Sequence, residues 1–161
     1  MEWTFAEIPI SYKLKPITFC MNPECIFCKI IDGSIPSQKI YETKDVLVFL
    51  DIRPLNPGHC LLIPKHHADN ILETSEQDVI ALMSVVKKIM PVLLKTVGAD
   101  AFNLSSNCGR AAGQIVFHTH VHLIPRLPAD GYKHWQREDD LHDDLQAMAE
   151  KIRRALEDAK A

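Results

Sequence analysis

The sequence predicts an α+β protein built on a largely antiparallel sheet with two longer helices. Three observations predict it: short apolar runs follow one another across turn-rich links, one long stretch of helical period interrupts them, and an amphipathic stretch closes the chain. Links this short join antiparallel neighbours, because a parallel pair needs a crossover of a dozen or more residues.

Residues 1–19 have no clear period and contain two prolines, so they read as an extension to a single domain spanning 20–161. From Cys20, FCMNPECIFCKIIDG reads as a turn, a short helical segment and a stop at Gly33. Three strands follow, QKIYE (38–42), DVLVFLD (45–51) and HCLLIPK (59–65), the last two joined through Pro57-Gly58, a type II turn pair. Ser75 opens a helix with Glu76 and Asp78 in its first turn, where the helix dipole favours carboxylates. Val79, Leu82, Met83, Val86, Ile89, Met90, Leu93 and Leu94 recur at helical spacing up to Gly98, while Pro91 predicts a kink or a split. Then come a strand, AFNLSSN (101–107), a small-residue loop, CGRAAG (108–113), and a fifth strand, QIVFHTHVHLIPR. From about 136 to 159, Leu141, Leu145, Met148, Ile152 and Leu156 mark an amphipathic helix lying on the domain.

The chain has 161 residues, 47% hydrophobic and 24% charged, enough for one domain with a real core. A formal charge of -3 provides no broad basic field for tracking a nucleic acid backbone. No run approaches the roughly 18 to 20 apolar residues of a membrane span, and the first residues lack the order of a signal peptide. With five cysteines, an odd number, the expectation is a soluble cytoplasmic protein rather than a disulfide framework.

In a strand, residues i, i+2 and i+4 share a face at intervals of roughly 6.5 to 7 Å, so His118, His120 and His122 should point one way. Ile115, Phe117, Thr119, Val121 and Leu123 would then enter the core. Burying three unmatched imidazoles would cost several kcal/mol, so the face reads as a site. Two chemistries want it: a catalytic zinc bound by histidines, or a histidine nucleophile attacking phosphorus. Spacing alone leaves both open. Cys25 and Cys28 form CxxC, which alone fits zinc, redox chemistry or neither. With Cys20 they have the spacing of plant-type iron–sulfur proteins, with Cys60 or Cys108 as a fourth ligand, a reading that explains none of the histidines.

The run His118-Thr119-His120-Val121-His122-Leu123-Ile124 resembles the histidine triad pattern of alternating histidine and apolar residues, from which Thr119 departs. The likeness continues through CIFCKIIDGSIPS, VLVFLDIRPLNPGHCLLIPKHH and SSNCGRAAGQIVFH, covering about residues 25–126 in one order. The chain is similar to the histidine triad (HIT) family, Hint-like bacterial type. The resemblance implies a HIT-like fold whose mainly antiparallel five-stranded sheets join in a homodimer. It implies a purine-preferring nucleotide hydrolase, acting on nucleoside phosphoramidates or dinucleoside polyphosphates, with a nucleotidyl intermediate on His120. The related nucleotidyltransferase branch has glutamine at the place of His122, so hydrolysis is favoured over transfer.

By the same resemblance His122 and His59 attend the phosphate and its protons, while Asp51 accepts from the ribose hydroxyls. Ile26, Phe27, Ile30, Phe49 and Ile52 surround the base, and Asn107, Gly113, Gln114, Ile115 and Val116 border the phosphate. Gly109 and Gly113 would let loop amides form an anion nest. Ile115 stands where the family often has Ser or Thr. Cys25, Cys28, His67 and His118 are the implied ligands of a structural zinc that takes no part in the chemical step. The segment YKHWQRED, with His134 and Trp135, is implied to reach toward the partner's site. A non-enzymatic nucleotide-binding module and a zinc hydrolase ligated by His118, His120 and His122 remain alternatives.

Overall fold

The computed structural model describes residues 22–132 and 145–159. The sequence-predicted extension at 1–19, Cys20, and the tail residues His134 and Trp135 lie outside the described residues. Elements follow in the order α1 (Ile26–Ile31), β1 (Lys39–Glu42), β2 (Val46–Leu50), β3 (Cys60–Pro64), α2 (Glu76–Val97), β4 (Ala101–Ser105), a 3₁₀ turn (Arg110–Ala112), β5 (Val121–Arg126) and α3 (Leu145–Asp158). The strands form one five-stranded sheet in the order β1-β2-β3-β5-β4, antiparallel at every pairing.

Strands β2 and β3 read as nearly continuous apolar runs because the sheet is covered on both faces. Val46 and Val48 of β2, Cys60 and Leu62 of β3, and Val121 and Leu123 of β5 pack with Leu82, Val85, Val86 and Met90 of α2. The intervening residues, Leu47, Phe49, Leu61 and Ile63, form a second cluster with Cys25 and with Phe27, Cys28 and Ile30 of α1. Alternation therefore assigns His122, paired with Leu61 across β3 and β5, to the α1 side. That side carries the site.

Helix α2 begins as the sequence predicts: Ser75 Oγ accepts from the Asp78 N–H at 3.1 Å, and Gly98 closes the helix with φ of 70°. Pro91 does not split it. Pro91 and Lys87 both lie on the exposed side, where water can take the carbonyl that proline leaves unbonded.

The histidine run departs from the expected single strand, since β5 starts only at Val121. Ahead of it the Thr119 N–H donates to the Ala68 carbonyl at 2.8 Å, and the His118 N–H donates to that of Val116 at 3.0 Å. Loop contacts thus replace the sheet ladder. Thr119, Val121 and Leu123 are buried as expected, whereas Ile115 is 88% exposed and Phe117 is half-buried with the Arg110 guanidinium 5.0 Å above its ring.

A first compact unit ends at Asp130 and carries every described strand; a second begins at Gly131 and contributes α3. Within α3 Leu145, Met148, Ile152 and Leu156 are exposed, and Glu150 pairs with Arg153 and Arg154. No described helix is long and apolar enough to cross a membrane.

Gly58, in the turn before β3, has φ of +82°, and a Cβ there would sit 2.9 Å from Val97 Cγ1 and 3.3 Å from Pro125 Cγ. Gly58→Ala should lower stability by about 1 to 3 kcal/mol through backbone strain and overpacking. Urea unfolding checks this: the midpoint should fall with the slope unchanged.

Candidate active site and metal centre

Two clusters of side chains share the α1 side. The first gathers Cys25, the N-cap of α1, Cys28 in its first turn, His67 beyond β3, and His118. His118 Nδ1 lies 3.4 Å from Cys25 Sγ, 3.6 Å from Cys28 Sγ and 3.2 Å from His67 Nδ1, and His67 Nδ1 lies 3.4 Å from Cys28 Sγ. Tetrahedral zinc, with bonds of about 2.05 Å to nitrogen and 2.3 Å to sulfur, requires N–N edges of about 3.3 Å and N–S edges of about 3.6 Å. The donors fit.

Their tautomers fit as well. His118 Nε2–H donates to the Pro64 carbonyl at 2.9 Å, and His67 Nε2 faces Asp69 Oδ1 at 3.2 Å, so both rings direct a bare Nδ1 at the cluster. Burial pushes His118 down to about 4, which keeps it neutral near pH 7. Burial raises the Cys28 thiol to about 11, a preference that a bound divalent cation would reverse.

The second cluster holds His120, His122, His59 and Asp51. His120 Nδ1–H donates to the His118 carbonyl at 2.7 Å, so in the neutral ring Nε2 carries the lone pair. The Ser106 hydroxyl donates to the His120 carbonyl at 2.7 Å, and Phe27 meets the His120 ring edge-on at 5.4 Å. On the other side, the Leu55 N–H donates to His59 Nδ1 at 3.1 Å, which leaves the proton of neutral His59 on Nε2. Nε2–H in turn donates to His122 Nδ1 at 3.0 Å, so neutral His122 carries its own proton on Nε2. The His120 and His122 rings are 5.2 Å apart, one with a bare Nε2 and one with a protonated Nε2.

Burial, reinforced by the neighbouring His120 and His59, pushes His122 down to about 4. Burial also lowers His59, partly offset by Asp51, whose Oδ2 lies 3.6 Å from Nε2. The donor atoms of Asp51, His59 and His122 lie within 4.8 Å of one another, close enough for a metal. Ligation through His59 Nε2 would instead turn an Nδ1–H against the Leu55 N–H, two donors face to face. Proton placement, not coordination, is what this trio is set up for. Among the described residues no metal-capable group contains two triad histidines, so the geometry offers nothing to a zinc hydrolase built on all three. Cys60 is buried in β3, apart from the CxxC cluster, and no iron–sulfur set forms among the described cysteines.

The loop before β5 differs from the open nest expected of it. Gln114 Oε1 accepts from the Gly109 N–H at 2.8 Å, and Gln114 Nε2 donates to the carbonyls of Asp69 and Val116. The N–H groups of Ala112, Gly113 and Gln114 are likewise spent on carbonyls within the loop. Asn107 Nδ2 stands 3.4 Å from where a Cβ on Gly113 would be. Asp51 is half-buried and accepts from the Arg53 N–H at 2.8 Å. Phe27, Ile30 and Phe49 are packed with Val116 alongside them, whereas Ile26 is 44% and Ile52 93% exposed. Sequence reading missed Ser106, Asp69 and the backbone groups of Leu55, Pro64 and Ala68. Asp69, two residues after His67, had a faint signal; the backbone groups had none.

Known proteins are similar to this chain in sequence and fold. A HIT domain family model matches residues 32–129. An adenylylsulfatase of Arabidopsis thaliana is 48% identical over 110 residues, 68% of this chain and 56% of that one. An adenosine 5'-monophosphoramidase of Schizosaccharomyces pombe is 44% identical over 102 residues, 63% of this chain and 74% of that one. The crystal structure of a zinc-bound histidine triad family protein from Mycobacterium smegmatis superimposes with a TM-score of 0.66 at 37% identity, covering 73% of this chain and 84% of that one. The chain belongs to the HIT domain family.

Proposed function

We propose that the protein is a purine-preferring nucleotide hydrolase acting on nucleoside phosphoramidates or dinucleoside polyphosphates through a covalent nucleotidyl-histidine on His120. The observation that carries this reading is the proton placement: a bare Nε2 on His120 beside a protonated Nε2 on His122. A nucleophile and a proton donor are thereby assigned by hydrogen bonding. His120 Nε2 attacks the α-phosphorus, and the leaving group departs with the proton from His122. Water then attacks phosphorus, the P–Nε2 bond breaks, and the proton returns to His122. His59 holds His122 in the required tautomer. That relatives include an adenylylsulfatase and a phosphoramidase supports adenylyl transfer to water with differing leaving groups.

Asp51 serves the ribose, the exposed Ile26 and Ile52 with Phe27, Ile30 and Phe49 serve the base, and the segment from Asn107 through Gly113, Gln114, Ile115 and Val116 borders the phosphate. A zinc ion held by Cys25, Cys28, His67 and His118 would supply a structural crosslink. A homodimer through β4 fits this reading, since β4 is an edge strand with Phe102 and Leu104 exposed. A reducing, cytoplasmic setting fits this reading, since a zinc site needs Cys25 and Cys28 as thiolates.

Incubation with adenosine phosphoramidate or diadenosine tetraphosphate, followed by a cold alkaline quench and peptide mass analysis kept off acid, should find adenylate on His120. His120→Ala should lower turnover by at least about 10³-fold while nucleotide still binds. A fully active variant would defeat the assignment, and turnover near zero on every substrate would favour a binding module.

Metal removal should act on stability: one zinc per chain is expected, and Cys28→Ser should lose the ion and lower the thermal midpoint. Acid should also destabilise the protein through His122. Its folded value of about 4 lies below the ordinary 6.5, so between these the unfolded chain binds the extra proton. Stability therefore falls as pH drops from 6.5 toward 4, and His122→Gln should make that part of the urea-midpoint profile shallower, the remaining slope coming from His118 and His59, which burial lowers as well.

A further inference from the structure

We propose that Thr119, paired with Thr74, is a positioning residue that fixes the nucleophile by clamping the peptide between His118 and His120. The inference deepens the reading of His120 as nucleophile and rests on it. Thr119 is the one triad-run residue that breaks the apolar pattern, and it is 1% exposed. A buried hydroxyl in an apolar place needs partners.

Its partners are specific. Thr119 Oγ1 and Thr74 Oγ1 are 2.6 Å apart, and Thr74 Oγ1 donates to the Asn70 carbonyl at 2.9 Å. With the Thr74 proton so committed, Thr119 Oγ1–H donates to Thr74, giving a directed chain from Thr119 through Thr74 to Asn70. Thr119 Oγ1 also lies 3.3 Å from the Ala68 carbonyl, which already accepts the Thr119 N–H at 2.8 Å.

The consequence follows from peptide planarity. The Thr119 N–H and the His118 C=O belong to one rigid unit, so fixing the N–H fixes the direction of the carbonyl. That carbonyl accepts His120 Nδ1–H at 2.7 Å and is what leaves Nε2 bare. An apolar residue at 119 would keep the N–H bond but lose the side-chain tie to the segment before α2. The tie matters because a peptide free to tilt would weaken the Nδ1–H contact and admit the other tautomer.

Thr119→Val is nearly isosteric and removes only the hydroxyl; Thr119→Ser keeps it. The measurements are steady-state kinetics on adenosine phosphoramidate and the ¹⁵N shifts of the His120 ring in the full-length protein. Thr119→Val should lower kcat about ten-fold with KM within about two-fold, as expected for lost positioning. The His120 shifts should move from a single Nδ1–H form toward a tautomer mixture, and Thr119→Ser should restore both. Thr74→Val, which leaves the triad run untouched, should lower kcat likewise, and the double variant should cost little more than either single one.

Unchanged kcat and tautomer in Thr119→Val would overturn the proposal. So would an equal loss in Thr119→Ser, which would make volume the cause, or full activity in Thr74→Val. Absence of turnover in the unaltered protein would instead sink the hydrolase reading, while the ring shifts would still decide this one.

Discussion

A neutral imidazole has two nitrogens and one proton, and everything at this site depends on which nitrogen holds it. Groups outside the rings make that choice. The Pro64 carbonyl and the Asp69 carboxylate take Nε2–H of His118 and His67, the His118 carbonyl takes Nδ1–H of His120, and the Leu55 N–H occupies Nδ1 of His59. The first pair leaves two bare Nδ1 atoms facing Cys25 and Cys28; the third leaves a bare Nε2 on His120; the fourth, passed through His59, leaves a protonated Nε2 on His122. Five residues with identical side chains thus hold their protons in set places through contacts that are mostly backbone.

The sheet makes those contacts dependable. Because β2 and β3 are buried on both faces, a slip of one residue would move Leu47, Phe49, Leu61 and Ile63 off the α1 side altogether, so their register is strongly specified. His122 follows from that register. Helix α1 has only six residues and little intrinsic stability, so what holds it is Phe27, Cys28 and Ile30 packed on the sheet. A metal bridging Cys25 and Cys28 to His67 and His118 would fasten the same helix from its other end.

Much of this was legible in the chain. Strand periods, the Ser75 cap, the Gly98 stop and the set Cys25, Cys28, His67 and His118 could be read from residue types and spacing or from the resemblance they carry. The misread parts share a cause. A single strand through FHTHVH assumed that alternation implies a ladder, but His118 and Thr119 are held by loop carbonyls, and Ile115 turns to solvent. An open anion nest at Gly109 and Gly113 assumed that glycines free their amides, yet Gln114 reaches back to take one. The partners that decide such matters are the Ala68 carbonyl, far along the chain and with no residue type to read, and a glutamine side chain whose target its residue type does not name.

The segment from His67 to Asp69 connects these pieces. His67 points at Cys28 and His118, the Ala68 carbonyl holds the peptide ahead of His120, and the Asp69 carbonyl takes Gln114, which in turn holds the Gly109 amide. Three consecutive residues therefore touch the Cys25, Cys28 and His118 cluster, the peptide before His120 and the loop beside it. Any ion that draws His67 toward His118 also fixes where the two following carbonyls lie. A structural metal held by His67 and His118 need never touch His120 to influence it, because the chain on which it would pull carries the carbonyl that holds the peptide ahead of that ring.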